Sequence, residues 1–245
     1  VDGELQGKLE ALALEAVEGR GEALQVAILV ADHASGEILG SVGSAGYQAD
    51  LRQGFVDMTQ ALRSPGSTLK PLVYALAFDQ GLAHPETMID DKPTTFGTYA
   101  PQNFDRQYRG TVRVREALQM SLNIPVVALT EALGPARLLA ALDRARVGYA
   151  IPLDDPGLAI SLGGLGVTLQ DMVQLYAAIA RGGTALPLRR CRCLVRPACP
   201  VWLVQEVFHG LHRGQSTRVP RASGLFRFSA VRHVLARPCT GTGRS

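Results

Sequence analysis

One apolar run organises this chain of 245 residues, and it reads Gln25-Val26-Ala27-Ile28-Leu29-Val30-Ala31-Asp32. The run is too short for a membrane span and has the length and the β-branched content of a strand. Turn residues follow over 33–36, and a second strand is predicted over 37–42. Together the two segments predict an antiparallel hairpin.

Helical periodicity surrounds this hairpin. An amphipathic helix is predicted over 6–17, and a second helix starts at Ser67, with its apolar face at Leu69, Leu72, Val73, Leu76 and Ala77. Further helices are predicted over 112–120, 124–131, 135–144 and 168–181. Residues 83–112 are predicted to form an ordered surface segment. A hairpin followed by a helical block predicts an α+β domain rather than alternating βαβ units.

The overall composition is that of a folded domain, because 47% of the residues are hydrophobic and 19% are charged. No stretch approaches the 18 apolar residues of a membrane span. The chain starts at Val1 without a basic-then-apolar leader, so we expect it to begin within a longer protein or after processing. The net charge of +3 indicates no special attraction to nucleic acid or membrane.

The overall net charge hides an abrupt change in composition near residue 189. Residues 189–245 contain eleven Arg, no Lys, no Asp and one acidic residue, Glu206, whereas residues 1–188 carry a net charge of −7. All four cysteines lie in this tail, at Cys191, Cys193, Cys199 and Cys239. We therefore divide the chain into a domain over 1–188 and a basic, cysteine-containing tail over 189–245.

Three interpretations of the tail are open: a nucleic-acid arm, a zinc module and a frameshift. The cysteine spacing does not match a zinc site. The tail also lacks the lysines and interleaved aromatic residues expected of a nucleic-acid surface. Its Arg-, Pro- and Cys-rich composition is typical of a GC-rich gene read out of register, so a frameshifted and possibly disordered tail is the favoured hypothesis. If the cysteines are native, their pairing cannot be deduced.

A serine and a lysine lie one helical turn apart at Ser67 and Lys70. Residues three apart share a helix face, so the hydroxyl and the ammonium can come within hydrogen-bond reach. The start of the helix favours negative charge on the serine oxygen, and a desolvated lysine can act as its base. The alternative is an ordinary helix cap at Ser67 with Lys70 in solvent.

A second polar pair, Ser121-x-Asn123, falls at a break between two helical segments. Its hydroxyl can relay a proton between Lys70 and a leaving amine, and its amide can bind a substrate peptide group. The alternative is a simple turn, which both residue types favour. Taken with Ser67 and Lys70, the pair predicts an acyl-transfer site.

Several separated blocks give the chain a family resemblance over about residues 1–188. They are Arg63-Ser64-Pro65-Gly66-Ser67-Thr68-Leu69-Lys70-Pro71, Tyr99-Ala100-Pro101-Gln102-Asn103-Phe104-Asp105, Ala117-Leu118-Gln119-Met120-Ser121-Leu122-Asn123-Ile124-Pro125 and Ser161-Leu162-Gly163-Gly164. In this order they resemble the transpeptidase domain of the bifunctional, class A penicillin-binding proteins. The resemblance implies a fold like that of the β-lactamases and penicillin-binding transpeptidases, in which a helical block packs on an antiparallel sheet.

The resemblance also implies a function and roles for individual residues. Ser67 is the expected nucleophile toward D-Ala-D-Ala stem peptides, Lys70 its base and Ser121 a proton relay. Asn123 and Asn103 are the expected substrate-binding residues, and the alternative for Asn103 is a loop residue that hydrogen-bonds nearby backbone. A membrane-anchored parent protein on the periplasmic face, an upstream glycosyltransferase domain, lipid-linked precursors and inhibition by β-lactams are implied too, with no cofactor, metal or nucleic acid.

One family motif is missing. Such domains carry Lys-Thr-Gly or Lys-Ser-Gly on the strand beside the active site, but Lys92 is the only lysine after Lys70. The nearest match is Cys239-Thr240-Gly241, whose thiol cannot replace an ammonium facing a carboxylate. The chain is therefore expected to have impaired activity, an incomplete C-terminal sheet and an N-terminal hairpin with an unpaired edge.

Other functional classes remain open from the sequence. A serine β-lactamase or D,D-carboxypeptidase shares Ser-x-x-Lys and is the nearest enzymatic alternative. A degenerate, non-catalytic fragment that binds a partner is the other, and the missing motif is the main argument for it.

Overall fold

The computed structural model describes residues 2–20, 24–46, 54–152, 157–190 and 200–208. Its six α-helices and five strands in these ranges are α1 (Gly3–Val17), β1 (Leu24–Asp32), β2 (Ile38–Val42), α2 (Lys70–Asp79), β3 (Met88–Asp91), β4 (Gly110–Arg113), α3 (Val114–Gln119), α4 (Asn123–Leu133), α5 (Pro135–Arg144), α6 (Leu169–Ala180) and β5 (Pro200–Phe208). Two 3₁₀ turns, Gly66–Leu69 and Leu158–Leu162, complete the set. The α+β class is confirmed.

The apolar run forms the central strand of a three-stranded antiparallel sheet with the order β2-β1-β5. Every residue of β1 is buried. Val26, Ile28 and Val30 pack against α1 on one face of the sheet, and Ala27 and Leu29 pack against α6 on the other. Because both faces of the strand are covered, its sequence is continuously apolar and does not alternate between apolar and polar residues.

The expectation of an unpaired hairpin edge is wrong. β5, which belongs to the basic tail, pairs antiparallel with β1 along its whole length, from Leu24 opposite Phe208 to Asp32 opposite Pro200. The physical reason is local composition, since Val201, Trp202 and Val204 have high β-propensity within an otherwise Arg-rich segment. The cysteines and residues 209–245, including the Cys239-Thr240-Gly241 segment, lie outside the described residues.

The remaining elements build the helical block. α2, α4 and α5 pack around a core that includes Val73, Tyr74, Val127 and Leu142. In the predicted surface segment, residues 83–112, and just after it, β3 and β4 form a small antiparallel ribbon, with Met88 opposite Arg113. Periodicity did not indicate this ribbon because each strand has only four residues, and most of those residues are exposed.

The helix that begins at Ser67 differs in its first turn from the prediction. Residues Gly66–Leu69 form a 3₁₀ turn, and α2 proper begins at Lys70, with Pro71 in its first turn. Proline is tolerated there because its missing N–H would have no intrahelical partner. The 3₁₀ turn thus carries Ser67, and the first residue of α2 is Lys70.

Candidate active site

Ser67 lies exposed on the tight turn that leads into α2. Gly66 has a φ of 53°, a left-handed conformation that favours glycine. The Thr68 hydroxyl donates a 2.5 Å hydrogen bond back to Pro65 O. From α6, the Tyr176 hydroxyl donates to Thr68 O at 2.8 Å. The turn is therefore held by its own side chains and by a neighbouring helix.

A second support for this turn comes from Gly163. The Ser64 hydroxyl donates a 2.6 Å hydrogen bond to Gly163 O. Gly163 has a φ of 92°, and a Cβ at this position would lie 2.5 Å from Ser64 Oγ and 2.6 Å from Gly66 Cα. Only glycine fits against the turn so closely. The sequence shows Gly163-Gly164 as a break but does not indicate this contact.

Lys70 is the central polar group of the site and is only 1% exposed. Its Nζ donates to Ser121 O at 2.6 Å, to Leu122 O at 3.2 Å, to Ser121 Oγ at 3.1 Å and to Asn123 Oδ1 at 2.6 Å. All four acceptors belong to the predicted second motif. The structure thus brings Lys70, Ser121 and Asn123 together, as their residue types suggested.

Burial changes the proton affinity of this lysine. Desolvation disfavours the ammonium and lowers the pKa of Lys70 from 10.5 to about 8. The four acceptors stabilise the ammonium but carry no formal charge. The pKa of Lys70 therefore lies much closer to neutral pH than that of a solvated lysine.

Ser121 and Asn123 reach Lys70 from the break between α3 and α4. Ser121 has a φ of 55°, which is uncommon for a residue other than glycine and is a form of strain often found at functional sites. In this conformation both its carbonyl and its hydroxyl contact Lys70. Asn123 is the first residue of α4, and its Nδ2 donates to Gln102 O at 2.7 Å.

The geometry differs from the expected Ser67–Lys70 contact. Among the hydrogen bonds of the described residues, none joins the Ser67 hydroxyl to Lys70. The physical reason is direction, because Lys70 turns inward to the break before α4 while Ser67 stays on the exposed 3₁₀ turn. The serine and the lysine are adjacent in the fold without sharing a proton in this structure.

Asn103 lies behind this site and is only 4% exposed. Its Nδ2 donates to both carboxylate oxygens of Asp91 at 2.9 Å and to Gln107 O at 2.8 Å. Its Oδ1 accepts from the backbone N–H of Asn123 at 2.8 Å. The structure therefore places Asn103 as a buried link to Asn123 rather than on the exposed surface of the site.

Comparison with known proteins now identifies the family. The family model described as "Penicillin binding protein transpeptidase domain" matches residues 26–196. The chain belongs to the penicillin-binding protein transpeptidase family. The match covers the hairpin, the Ser67 turn and the second motif, so the resemblance in the sequence is confirmed for this part of the transpeptidase domain.

Individual relatives agree with this assignment. The chain is 42% identical over 190 residues to penicillin-binding protein 1C of Escherichia coli, covering 77% of this chain and 25% of the relative. It is 35% identical over 187 residues to penicillin-binding protein 1B of Vibrio cholerae, covering 71% of this chain and 23% of that protein. The chain thus spans about a quarter of the length of the curated relatives it matches.

A solved structure shares the fold. The penicillin-binding protein PonA1 from Mycobacterium tuberculosis superposes with a TM-score of 0.66 and 25% identity, over 76% of this chain and 50% of that chain. The same protein has also been solved in complex with penicillin V, with the same score and identity. The β-lactamase and transpeptidase-like fold expected from the sequence is therefore confirmed.

The described ranges contain neither a single helix that could span a membrane nor a metal-binding cluster. No single helix there is long and apolar enough to cross a membrane; α4 and α5 taken together pass that test by length and composition, but they are bent by 86° at their junction. The same ranges hold no group of three or more His, Cys, Asp or Glu side chains placed to bind a metal ion.

Proposed function

We propose that this transpeptidase domain follows an acyl-serine mechanism on D-Ala-D-Ala stem peptides, with Ser67 as nucleophile. Ser67 Oγ forms an ester with the penultimate D-Ala carbonyl carbon while the amide bond to the terminal D-Ala breaks. The serine proton passes to the leaving amine. An amine of a neighbouring peptide then takes the acyl group, and the serine recovers its proton.

The observation that carries this proposal is the buried Lys70 ammonium with its acceptors at Ser121 and Asn123. Neutral Lys70 is the proposed base, and its pKa of about 8 supports that role. The Ser121 hydroxyl, 3.1 Å from Lys70 Nζ, is the proposed proton relay toward the leaving amine. A rotation of the Ser67 or Lys70 side chain completes the path when substrate is present.

Asn123 has a second proposed role in substrate binding. Its amide lies at the exposed edge of the site, where Nδ2 now donates to Gln102 O. Exchange of that bond for a carbonyl of the stem peptide would orient the substrate next to Ser67. The backbone N–H of Ser67 is the proposed first donor of the oxyanion hole.

We further propose that the activity of this 245-residue chain is severely reduced. The missing Lys-Thr-Gly removes the ammonium that faces the substrate carboxylate and the strand that supplies the second oxyanion donor. Loss of one such donor typically costs about 10²–10³-fold in rate. The site is therefore proposed to retain its base and its proton relay but to bind and activate its substrate poorly.

The proposed context is that of the class A penicillin-binding proteins. It comprises a parent protein anchored in the inner membrane, a periplasmic active site and a glycosyltransferase domain upstream. Peptidoglycan stem peptides and lipid-linked precursors are the proposed partners, and β-lactams the proposed inhibitors.

Acylation by a fluorescent penicillin tests the mechanism and the impairment together. We expect slow, sub-stoichiometric labelling that disappears in Ser67→Ala and falls strongly in Lys70→Ala. The control variant Ser41→Ala, on strand β2, should be labelled like the wild type. Rapid stoichiometric labelling at Ser67 would contradict the impairment. Labelling that survives in Ser67→Ala would contradict the nucleophile, and turnover of the penicillin would favour a β-lactamase.

The origin of the tail has its own test. Translation of the DNA encoding 184–245 in its other two frames is expected to show Lys-Thr-Gly in one of them. Stop codons in both other frames would establish that the motif is truly missing, and would make a degenerate binding role the better explanation.

A further inference from the structure

A buried carboxylate with no assigned role lies behind the site at Asp91, the last residue of β3. Asp91 is 0% exposed. Burial of a charged carboxylate is costly unless hydrogen bonds satisfy it. Its Oδ2 accepts from Arg109 N at 2.8 Å and from Asn103 Nδ2 at 2.9 Å, and its Oδ1 accepts from the same Nδ2 at 2.9 Å.

This carboxylate fixes the orientation of the Asn103 amide. The NH₂ group faces three oxygens, two from Asp91 and one from Gln107. A flipped amide would place its oxygen against the carboxylate and its NH₂ against an N–H donor. Only one orientation is therefore compatible, and in it Asn103 Oδ1 faces Asn123.

From Asn103 the contacts continue to the base. Asn103 Oδ1 accepts the Asn123 N–H at 2.8 Å, which is one of the N–H groups that the start of α4 leaves without an intrahelical partner. Asn123 Oδ1 accepts from Lys70 Nζ at 2.6 Å. Three consecutive links, each of ordinary hydrogen-bond length, thus join Asp91 to Lys70.

We propose that Asp91 and Asn103 are positioning residues for Lys70, acting through Asn123. The inference rests on the proposed function only in treating Lys70 as the base. Asp91 fixes Asn103, Asn103 fixes the first residue of α4, and that residue holds the ammonium. The role that the resemblance suggested for Asn103, contact with substrate, is replaced by support of the residue that makes that contact.

The titration of Lys70 tests this proposal without requiring activity. The chain has only three lysines, and Lys8 and Lys92 are exposed, with side chains 71% and 64% accessible, so ¹³C NMR of ε-labelled lysine can separate the buried one. In Asp91→Asn one acceptor oxygen becomes a donor. We expect the pKa of Lys70 to fall by about one unit, because the ammonium loses its fixed acceptor while remaining buried.

A matched control is provided by the preceding residue. Asp90 is an exposed carboxylate whose Oδ2 lies 2.6 Å from Lys92 Nζ. Asp90→Asn removes this exposed charge and should leave the titration of Lys70 unchanged. A folded Asp91→Asn protein in which Lys70 titrates as in the wild type would overturn the proposal.

Two further variants keep the test decisive if Asp91→Asn loses its fold. Asn103→Ala removes the middle link and should lower the pKa of Lys70 in the same direction. The exchange Asp91→Asn with Asn103→Asp restores a donor–acceptor pair between the two side chains but leaves an acid oxygen against Gln107 O, so it should return the pKa of Lys70 part of the way to the wild-type value. A shift of Lys70 toward 10.5 in all variants indicates general loosening and would also overturn the proposal. Absence of penicillin labelling would count against the proposed function alone.

Discussion

The Lys70 ammonium donates a 2.6 Å hydrogen bond to Asn123 Oδ1, joining the first residue of α2 to the first residue of α4. Among the ion pairs of the described residues, none involves Lys70, so neutral oxygens alone satisfy this buried cation. Their contribution is smaller than the desolvation cost, and the pKa of Lys70 is therefore low rather than high.

The low pKa makes stability depend on pH in a predictable direction. Between about pH 8 and 10.5 the unfolded chain keeps the Lys70 proton while the folded chain has lost it. Because the unfolded state binds more protons, the free energy of unfolding rises with pH in this window. Urea unfolding at pH 8.0 and 9.5 should differ by about 1.5 kcal/mol from this residue.

The control for this pH effect is Lys70→Met, which replaces the titrating side chain with an apolar side chain of similar length. The difference between its pH 8.0 and pH 9.5 stabilities should be smaller than that of the wild type by the same amount. Equal pH differences in the two proteins would show that Lys70 titrates normally.

The close approach of Gly163 to the Ser67 turn predicts a large effect of one methyl group. Gly163→Ala places a Cβ against the backbone N and Cα of Gly66. Gly182 has a similar positive φ of 68° but nothing within 4 Å of a Cβ, so Gly182→Ala measures the backbone strain alone. We expect about 1 kcal/mol for Gly182→Ala and about 1–3 kcal/mol more for Gly163→Ala. Equal losses in urea unfolding would rule out the steric contact.

Tyr176, which is half-buried, and Tyr74, which is buried, should respond differently to loss of the hydroxyl. Tyr176→Phe removes the donor to Thr68 O and should lower the free energy of unfolding by about 1 kcal/mol. The Tyr74 hydroxyl is buried without a hydrogen-bond partner in the described part of the chain, so Tyr74→Phe should be neutral or stabilising. Thermal unfolding of both variants checks the pair, and destabilisation by Tyr74→Phe would mean that its hydroxyl has a partner.

The pairing of β5 with β1 predicts an alternating response to proline. In the described sheet β5 is an edge strand, with Leu203 opposite Leu29 and Val204 opposite Ile28. Neighbouring N–H groups on an edge strand point alternately toward the partner strand and away from it. One of Leu203→Pro and Val204→Pro should therefore be strongly destabilising, and the other mild. If urea unfolding shows both to be mild, residues Pro200–Phe208 do not pair with β1.

Much of this domain follows from local patterns. The central strand follows from its continuous apolar run, and the helices now defined as α1, α2, α4, α5 and α6 follow from apolar spacing, because burial on one helix face repeats along the chain. The contact of Lys70 with Ser121 and Asn123 also follows from the sequence, since side chains at a break between helices can project into a cleft.

Other features depended on contacts between distant residues. Asp91 looked like any acidic residue in a loop region, and only the docking of the β3–β4 ribbon buries it beside Asn103. The left-handed Ser121 is likewise set by its contacts with Lys70, since serine has no intrinsic preference for that conformation.

The transpeptidase family, the α+β class and the candidate residues Ser67 and Lys70 can be predicted from the sequence, because apolar periodicity and short motifs act over a few neighbouring residues. The burial that lowers the pKa of Lys70, the Asp91–Asn103–Asn123 links and the pairing of β5 with β1 emerge only from the folded structure. Each of these depends on desolvation or backbone pairing between segments far apart in the chain, and no local pattern specifies which segments meet.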